Sequence, residues 1–143
     1  MKITASIASF CLLFIALVNA VSVSVSFDQV YDNRAGSMTT VACSDGVNGL
    51  ITRFGFQTFG AVPTFPNIGG AGAVAGFNSP GCGTCWSLSF QGTTVNVTAI
   101  DRAGAGSFNI ALAAMNTLTK GNAIQLGRIT ANATQVAASA CGL

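Results

Sequence analysis

The stretch TTVNVTAIDRAGAG, residues 93–106, is the most informative about the fold. Apolar and polar residues alternate through its first part, which is the period of a half-buried β-strand. One carboxylate, Asp101, closes the alternating run, and a glycine-rich turn follows it. Asp101 is therefore a catalytic acid, a ligand-binding group or a residue that organises the turn, and the rest of the chain has to distinguish these roles.

The same period of two recurs along the chain. VSVSVSF at residues 21–27 alternates strictly, and WSLSF at residues 86–90 precedes the quoted stretch across a turn at Gln91-Gly92. Further strands are predicted near MTTVAC (38–43), AIQLGRITA (123–131) and ATQVAAS (133–139). About six strands in a chain of this length predict a mainly β protein and favour a small barrel.

Two segments lack this alternation. SFNIALAAMNTL, residues 107–118, is the best helix candidate, with Ser107 as its cap and Gly121 beyond its end. Residues 54–77 contain Pro63, Pro66 and a glycine-rich run, and they are predicted to form an ordered loop because their phenylalanines argue against disorder. One or two short helices are expected in total.

The first 20 residues predict secretion. Lys2 precedes an apolar run at residues 7–18, and Val18-Asn19-Ala20 offers small residues where a signal peptidase cleaves. This order is typical of a secretory signal peptide, and the apolar run is too short to span a bilayer. We therefore expect a signal peptide at residues 1–20, one extracellular domain at residues 21–143, and no integral membrane association.

Charge is scarce in the expected mature domain. The whole chain has six basic residues, four acidic residues and no histidine, and the part after residue 20 carries a net charge of +1. Nucleic acid binding needs a clustered basic face, so no nucleic acid partner is predicted. A surface covered by hydroxyl and amide groups suits contact with neutral polymers or interfaces.

Four cysteines remain after residue 20: Cys43, Cys82, Cys85 and Cys141. In a small secreted domain they predict two disulfides, and three pairings are open. Cys82-Gly-Thr-Cys85 has the spacing of a redox motif or of half a zinc site. An alternating strand follows it instead of a helix, and no second ligand pair exists, so neither a redox centre nor a metal or cofactor site is predicted.

The absence of histidine removes the Ser-His-Asp triad and the Cys-His pair. Glycoside cleavage remains conceivable, but it normally needs two carboxyl groups. The partners open to Asp101 are Asp28, Asp32 and Asp45, which lie in or near predicted turns, where Asx hydrogen bonds are the ordinary explanation. No catalytic residue is predicted, and the chain is not expected to be an enzyme.

Three further residues have two possible roles. Trp86, the single tryptophan, either stacks on a sugar face or packs in the core, and its position between Cys85 and a strand favours the core. Asn96 and Asn132 each begin an Asn-X-Thr sequon and are glycosylation candidates. A glycan on Asn96 would lie close to Asp101 along the chain.

The motifs taken together resemble one family. The order of VSVSF, VYDN, ACSDGVNGL, VPTFPNIGG, AGFNSPGCGTCW and VTAIDRAGAGSFNI, followed by a final cysteine, is similar to that of the cerato-platanins, which are small secreted fungal proteins. The resemblance covers residues 21–141. It implies a six-stranded double-psi β-barrel and disulfides between Cys43 and Cys82 and between Cys85 and Cys141.

The resemblance also implies a function and a site. Family members bind chitin oligomers or other neutral wall polysaccharides in a shallow groove without hydrolysing them, are found in the fungal wall or outside the cell, and elicit plant defences. Expansin-like wall loosening and self-assembly at interfaces are the alternatives. The family's groove carboxylate corresponds to Asp101. The neighbouring loop corresponds to a set of five carbohydrate-binding candidates: Arg102, Gly104, Gly106, Phe108 and Asn109.

Overall fold

The structure is a computed structural model that describes residues 19–143, so the predicted signal peptide lies outside the described residues except for its last two positions. Six strands close into a barrel in the order β1-β5-β2-β4-β3-β6. Their bounds are β1 Val21–Phe27, β2 Ile68–Ala71, β3 Cys85–Phe90, β4 Thr93–Arg102, β5 Ser107–Ile110 and β6 Arg128–Val136. This is the mainly β, six-stranded barrel that the sequence predicts.

Two pairs of neighbouring strands in the barrel, β1 with β5 and β2 with β4, are parallel, and the other four pairs are antiparallel. The starts of β1, β3 and β5 therefore meet the ends of β2, β4 and β6 at one end, which we call the upper end. Asp101 and Arg102 close β4 there, and residues 103–106 connect it to β5.

Alternation along the strands fills the barrel. In β1, Val23 and Val25 are buried, while Ser24 and Ser26 lie on the outer side and are half-buried. A second layer packs outside the barrel, where the segment after β1 contributes Tyr31 and Met38 to the same apolar cluster. Within the described residues every buried side-chain nitrogen and oxygen atom has a hydrogen-bond partner, as expected for polar groups withdrawn from water.

Within residues 19–143 three short α-helices accompany the barrel, where the sequence predicts one or two: α1 Leu50–Phe54, α2 Leu112–Thr119 and α3 Ala123–Leu126. Helix α2 begins after Ala111, which offers no side-chain cap. Asp32 supplies the cap from 80 positions earlier, because its two carboxylate oxygens accept the amide hydrogens of Leu112 (2.8 Å) and Ala113 (2.9 Å). Capping in this form pairs an acid with the positive end of the helix dipole.

Both disulfides join distant parts of the chain. The structure pairs Cys43 with Cys82 and Cys85 with Cys141, as the family resemblance implies. Their sequence separations are 39 and 56 residues. The first bridge fastens the segment before α1 to the loop that precedes β3, and the second fastens the C-terminal turn to the start of β3.

Several local predictions were wrong. MTTVAC starts with a 3-10 turn, Met38–Thr40, and AIQL forms α3, so β6 is one continuous strand. The segment 54–77, predicted as a loop, contains β2. In this strand Gly69 and Gly70 lie so close to the backbone of Asn109 and Arg102 that a Cβ would collide with it. Glycines lack the alternation of apolar and polar side chains by which a strand is predicted. Ser107 starts β5 instead of capping a helix, since pairing with β1 and β2 takes over residues 107–110.

None of the helices described between residues 19 and 143 has the length and apolar character needed to cross a membrane.

Candidate functional site

The Asp101 carboxylate lies at the upper end of β4 and accepts three hydrogen bonds. Its Oδ2 accepts from the hydroxyl of Tyr31 at 2.9 Å. Its Oδ1 accepts from the backbone amides of Ala42 at 3.0 Å and Arg102 at 2.8 Å. The side chain is half-buried, so the carboxylate is fixed by the protein and still reaches solvent.

The lone pairs of the Asp101 carboxylate limit how many further hydrogen bonds it accepts. An ionised carboxylate has two acceptor sites on each oxygen. The two amides occupy both sites of Oδ1, whereas Tyr31 occupies only one site of Oδ2. One acceptor site of Oδ2 remains for a hydroxyl or amide hydrogen from a ligand or from water.

Tyr31 holds Asp101 and is itself deeply buried. Burial raises the pKa of the Tyr31 hydroxyl well above its ordinary value, and the neighbouring Asp101 charge and hydrogen bond raise it further. Both effects disfavour a tyrosinate. Tyr31 consequently remains a hydrogen-bond donor. The local sequence indicates only a turn at Tyr31 and does not predict this role; the one available signal is that Tyr31 is the single tyrosine in the chain.

Asn109 lies level with Asp101 on the barrel. Strand register places Ser26 opposite Asn109, Asn109 opposite Gly70, and Gly70 opposite Asp101 across β1, β5, β2 and β4. Directly opposed residues face the same side of a sheet. We call Ser26, Asn109, Gly70 and Asp101 the polar row. The hydroxyl of Ser26 donates to Oδ1 of Asn109 at 3.0 Å, which leaves the Asn109 amide hydrogens available.

Of the other carbohydrate-binding candidates, three lie at the surface near Asp101 and one lies inside the barrel. Arg102 and Gly104 are exposed beside Asp101, and the carbonyl of Gly104 accepts from the Ser107 hydroxyl at 2.7 Å. Gly106 has φ of +69°, a left-handed conformation that favours glycine. Phe108 is buried inside the barrel, so its side chain does not contact the polar row.

The other carboxylates have structural partners or lie exposed. Asp28 accepts from the backbone amide of Val30 at 3.0 Å, and Asp32 caps α2. Asp45 is exposed in the turn before α1. Asx bonding within turns explains Asp28 as expected, whereas the cap that Asp32 provides across the fold does not follow from local sequence.

Trp86 lies on the interior side of the barrel and is half-buried. Its ring meets that of Phe108 edge-on, with 5.5 Å between centroids, although β3 and β5 are not neighbouring strands. Its indole N–H donates to Oγ1 of Thr84 at 2.8 Å. Trp86 therefore packs against the core, and its incomplete burial leaves part of it open at the upper end.

The sequon asparagines lie on the strands that flank β3. Asn96 of β4 is opposite Ser87, and Asn132 of β6 is opposite Ser89. Asn132 is exposed, while Asn96 is half-buried and donates from Nδ2 to the carbonyl of Ala140 at 3.4 Å. Both remain candidates for glycosylation.

Known proteins are similar to this chain in sequence and in fold. The Cerato-platanin family model matches residues 23–143. Allergen Asp f 15 of Aspergillus fumigatus is 50% identical over 123 residues, covering 86% of this chain and 79% of the allergen. Cerato-platanin of Ceratocystis fimbriata f. sp. platani is 38% identical over 127 residues, covering 87% of this chain and 90% of the relative.

Solved structures agree with these matches. The crystal structure of cerato-platanin 2 from M. perniciosa superposes with a TM-score of 0.81 at 55% identity, covering 86% of this chain and all of the other. The solution structure described as the fungal elicitor Cerato-Platanin gives 0.72 at 39% identity, covering 83% and 96%. The closed barrel, the disulfide pairing and these matches together place the chain in the cerato-platanin family.

Proposed function

We propose that this protein is secreted and binds oligomers of N-acetylglucosamine, the unit of chitin, or a similar neutral wall polysaccharide, without cleaving them. The free acceptor site on Oδ2 of Asp101 is the observation that carries the proposal. Sugar hydroxyl and acetamido groups donate hydrogen bonds, and a fixed carboxylate accepts them without losing side-chain entropy on binding. The free amide hydrogens of Asn109 supply donors on the same row.

A binding role suits the carboxylate better than general acid catalysis. Two amides and a hydroxyl donate to Asp101, so its two oxygens act here as hydrogen-bond acceptors. Asp28 and Asp32 already have structural partners. One solved relative is described as a fungal elicitor, and this similarity supports elicitation of plant defences as part of the proposal.

The test is a titration with chitotetraose, followed by backbone amide shifts in NMR. Shifts are expected at residues 101–109, and Asp101→Asn should weaken binding by about tenfold or more, since hydrogen bonds to charged groups contribute about 1.5–3 kcal/mol. The Asn variant keeps an acceptor for Ala42 and Arg102 and so preserves the fold. Asp45→Asn is the matched control, because it removes the same charge from an exposed turn.

Saturable binding that Asp101→Asn leaves unchanged would refute the assignment of Asp101. No binding at millimolar chitotetraose would refute the carbohydrate proposal itself. Release of reducing sugar that disappears in Asp101→Asn would show an enzyme instead.

Surface activity is the second candidate, and exposed apolar residues favour it. Val47 is 75% exposed and Phe77 is 66% exposed. Their loops are joined because Oδ1 of Asn78 accepts from the amide of Asn48 at 2.9 Å. If Val47 and Phe77 contact the air–water interface, the Phe77→Asn variant should lower surface tension less than the parent protein does and bind chitotetraose equally well. Equal surface tension with both proteins would show that Phe77 does not contribute to surface activity.

A further inference from the structure

The upper end of the barrel contains a half-open apolar cavity of about 230 Å³ that no local sequence pattern predicts. Its walls come from the starts of β1 and β5, the start of β3 and the end region of β6. We call this cavity the barrel mouth. The residues that line it are Val21, Val23, Gly72, Ala73, Trp86, Gly106, Ser107, Phe108 and Ala133.

Aromatic side chains form one wall of the mouth. The edge-on contact between Trp86 and Phe108 spans the barrel from β3 to β5. Phe108 is buried, while Trp86 is half-buried and marks the boundary between the core and the opening. Aromatic rings prefer offset-stacked or edge-to-face contacts with one another, so the exposed part of Trp86 offers an aromatic ligand a favourable partner.

The mouth offers a ligand no charge and few free donors. None of its nine lining residues is ionisable. The indole N–H of Trp86 already donates to Thr84, and the hydroxyl of Ser107 already donates to the carbonyl of Gly104. A charged or strongly hydrated group would lose its water there without compensation.

Volume limits the size of the occupant. An engineered apolar cavity of about 150 Å³ in another protein binds benzene. The mouth is larger than that and is open on one side, so it accommodates one aromatic ring with a short substituent. A polar substituent would point outward, past the exposed rim residue Ala73.

We propose that the barrel mouth binds a small uncharged aromatic molecule against Trp86 and Phe108. This site differs from the polar row. Asp101 and Asn109 do not line the mouth, whereas Gly106 and Phe108, two of the carbohydrate-binding candidates, do. The proposal does not depend on carbohydrate binding.

Benzyl alcohol is a suitable probe, because it is uncharged, soluble and of the right size. It should bind saturably with a dissociation constant on the order of 1 mM, which suits so small a ligand. NMR should show intermolecular NOEs from its ring to the Trp86 and Phe108 side chains. Fluorescence of Trp86, the only tryptophan in the chain, should change along the same binding curve.

A variant at the rim tests the site without disturbing the core. Ala73 is exposed and lines the mouth, so Ala73→Leu should fill the opening and weaken benzyl alcohol binding by about tenfold or more. Ala75→Leu is the matched control, because Ala75 is exposed in the same loop and lies outside the mouth. It should bind benzyl alcohol as the parent protein does.

Three results would overturn the proposal. The first is benzyl alcohol shifts that do not saturate or lie away from Trp86 and Phe108. The second is equal binding by the Ala73→Leu and Ala75→Leu variants. The third is competition in which chitotetraose displaces benzyl alcohol and loses affinity in Ala73→Leu, since the mouth would then be a carbohydrate subsite. Loss of chitotetraose binding in Asp101→Asn with benzyl alcohol binding intact would separate the two sites.

Discussion

The hydroxyl of Tyr31 donates to Oδ2 of Asp101 at 2.9 Å across 70 positions of the chain. This bond joins the segment after β1 to the upper end of β4, and it links a buried phenol to a half-exposed carboxylate. It fixes the orientation of the carboxylate and leaves one acceptor site of Oδ2 open. The same contact therefore has a consequence for stability and another for binding.

Tyr31 should resist ionisation in the folded protein. Burial and the Asp101 charge raise the pKa of its hydroxyl above the ordinary value. Since Tyr31 is the only tyrosine in the chain, the ultraviolet absorbance of tyrosinate reports on it alone. No tyrosinate should form near pH 10 while the protein is folded. In Asp101→Asn the pKa should fall part of the way towards about 10, because burial remains. An ordinary pKa in the parent protein would contradict the buried geometry.

The pH dependence of stability follows from the same shift. A tyrosine whose pKa is higher in the folded than in the unfolded state contributes stability that is complete below the unfolded pKa of about 10 and is lost as pH rises above it. Denaturant unfolding should therefore show falling stability above about pH 10. Tyr31→Phe cannot ionise and should show a smaller decline. Equal declines in both proteins would mean that other groups dominate.

Tyr31→Phe should also lower stability at neutral pH. The variant removes the donor from Oδ2 of Asp101 while the two backbone amides remain. Water partly replaces the lost donor because the carboxylate is half-exposed, so the expected loss is about 1–2 kcal/mol in the free energy of unfolding. Urea denaturation measures it. No loss would show that water substitutes fully.

Asp32 should matter for helix α2 more than its sequence position suggests. Asp32→Ala removes the acceptor for the amides of Leu112 and Ala113. The expected loss is about 1–2 kcal/mol, together with faster hydrogen exchange of these two amides. Asp45→Ala is the control and should change stability by less than about 0.5 kcal/mol, because it is exposed. Unchanged exchange in Asp32→Ala would refute the capping role.

Sugar binding should also depend on Asn109. Asn109→Ala removes the free amide donors of the polar row and should weaken chitotetraose binding by about fivefold, the value of one ordinary hydrogen bond. Ser26→Ala leaves Asn109 in place and should have a smaller effect, because it removes only the hydroxyl that donates to Oδ1 of Asn109. Calorimetric titration distinguishes the two, and a larger loss in Ser26→Ala would reverse these assignments.

Local pattern and motif order along the chain suffice for the alternating strands, the mainly β class and the family. Residues 21–27, 86–90 and 93–99 carry a period of two that needs no tertiary information. The cysteine order and motif order identify the family, and through it the barrel and the disulfide pairing. The alternating strands are local patterns, and the family follows from the order of motifs along the chain.

Other features depend on pairing at a distance and become visible only in the folded chain. Strand β2 forms in a glycine-rich segment because β4 and β5 flank it on both sides. Residues 107–110 become a strand because β1 and β2 pair with them, although they directly precede the alanine- and leucine-containing residues that form α2. The bond from Tyr31 to Asp101, the cap from Asp32 and the mouth beside Trp86 each join side chains far apart in sequence. Such contacts depend on how the closed barrel brings its strands together, and no local pattern encodes them.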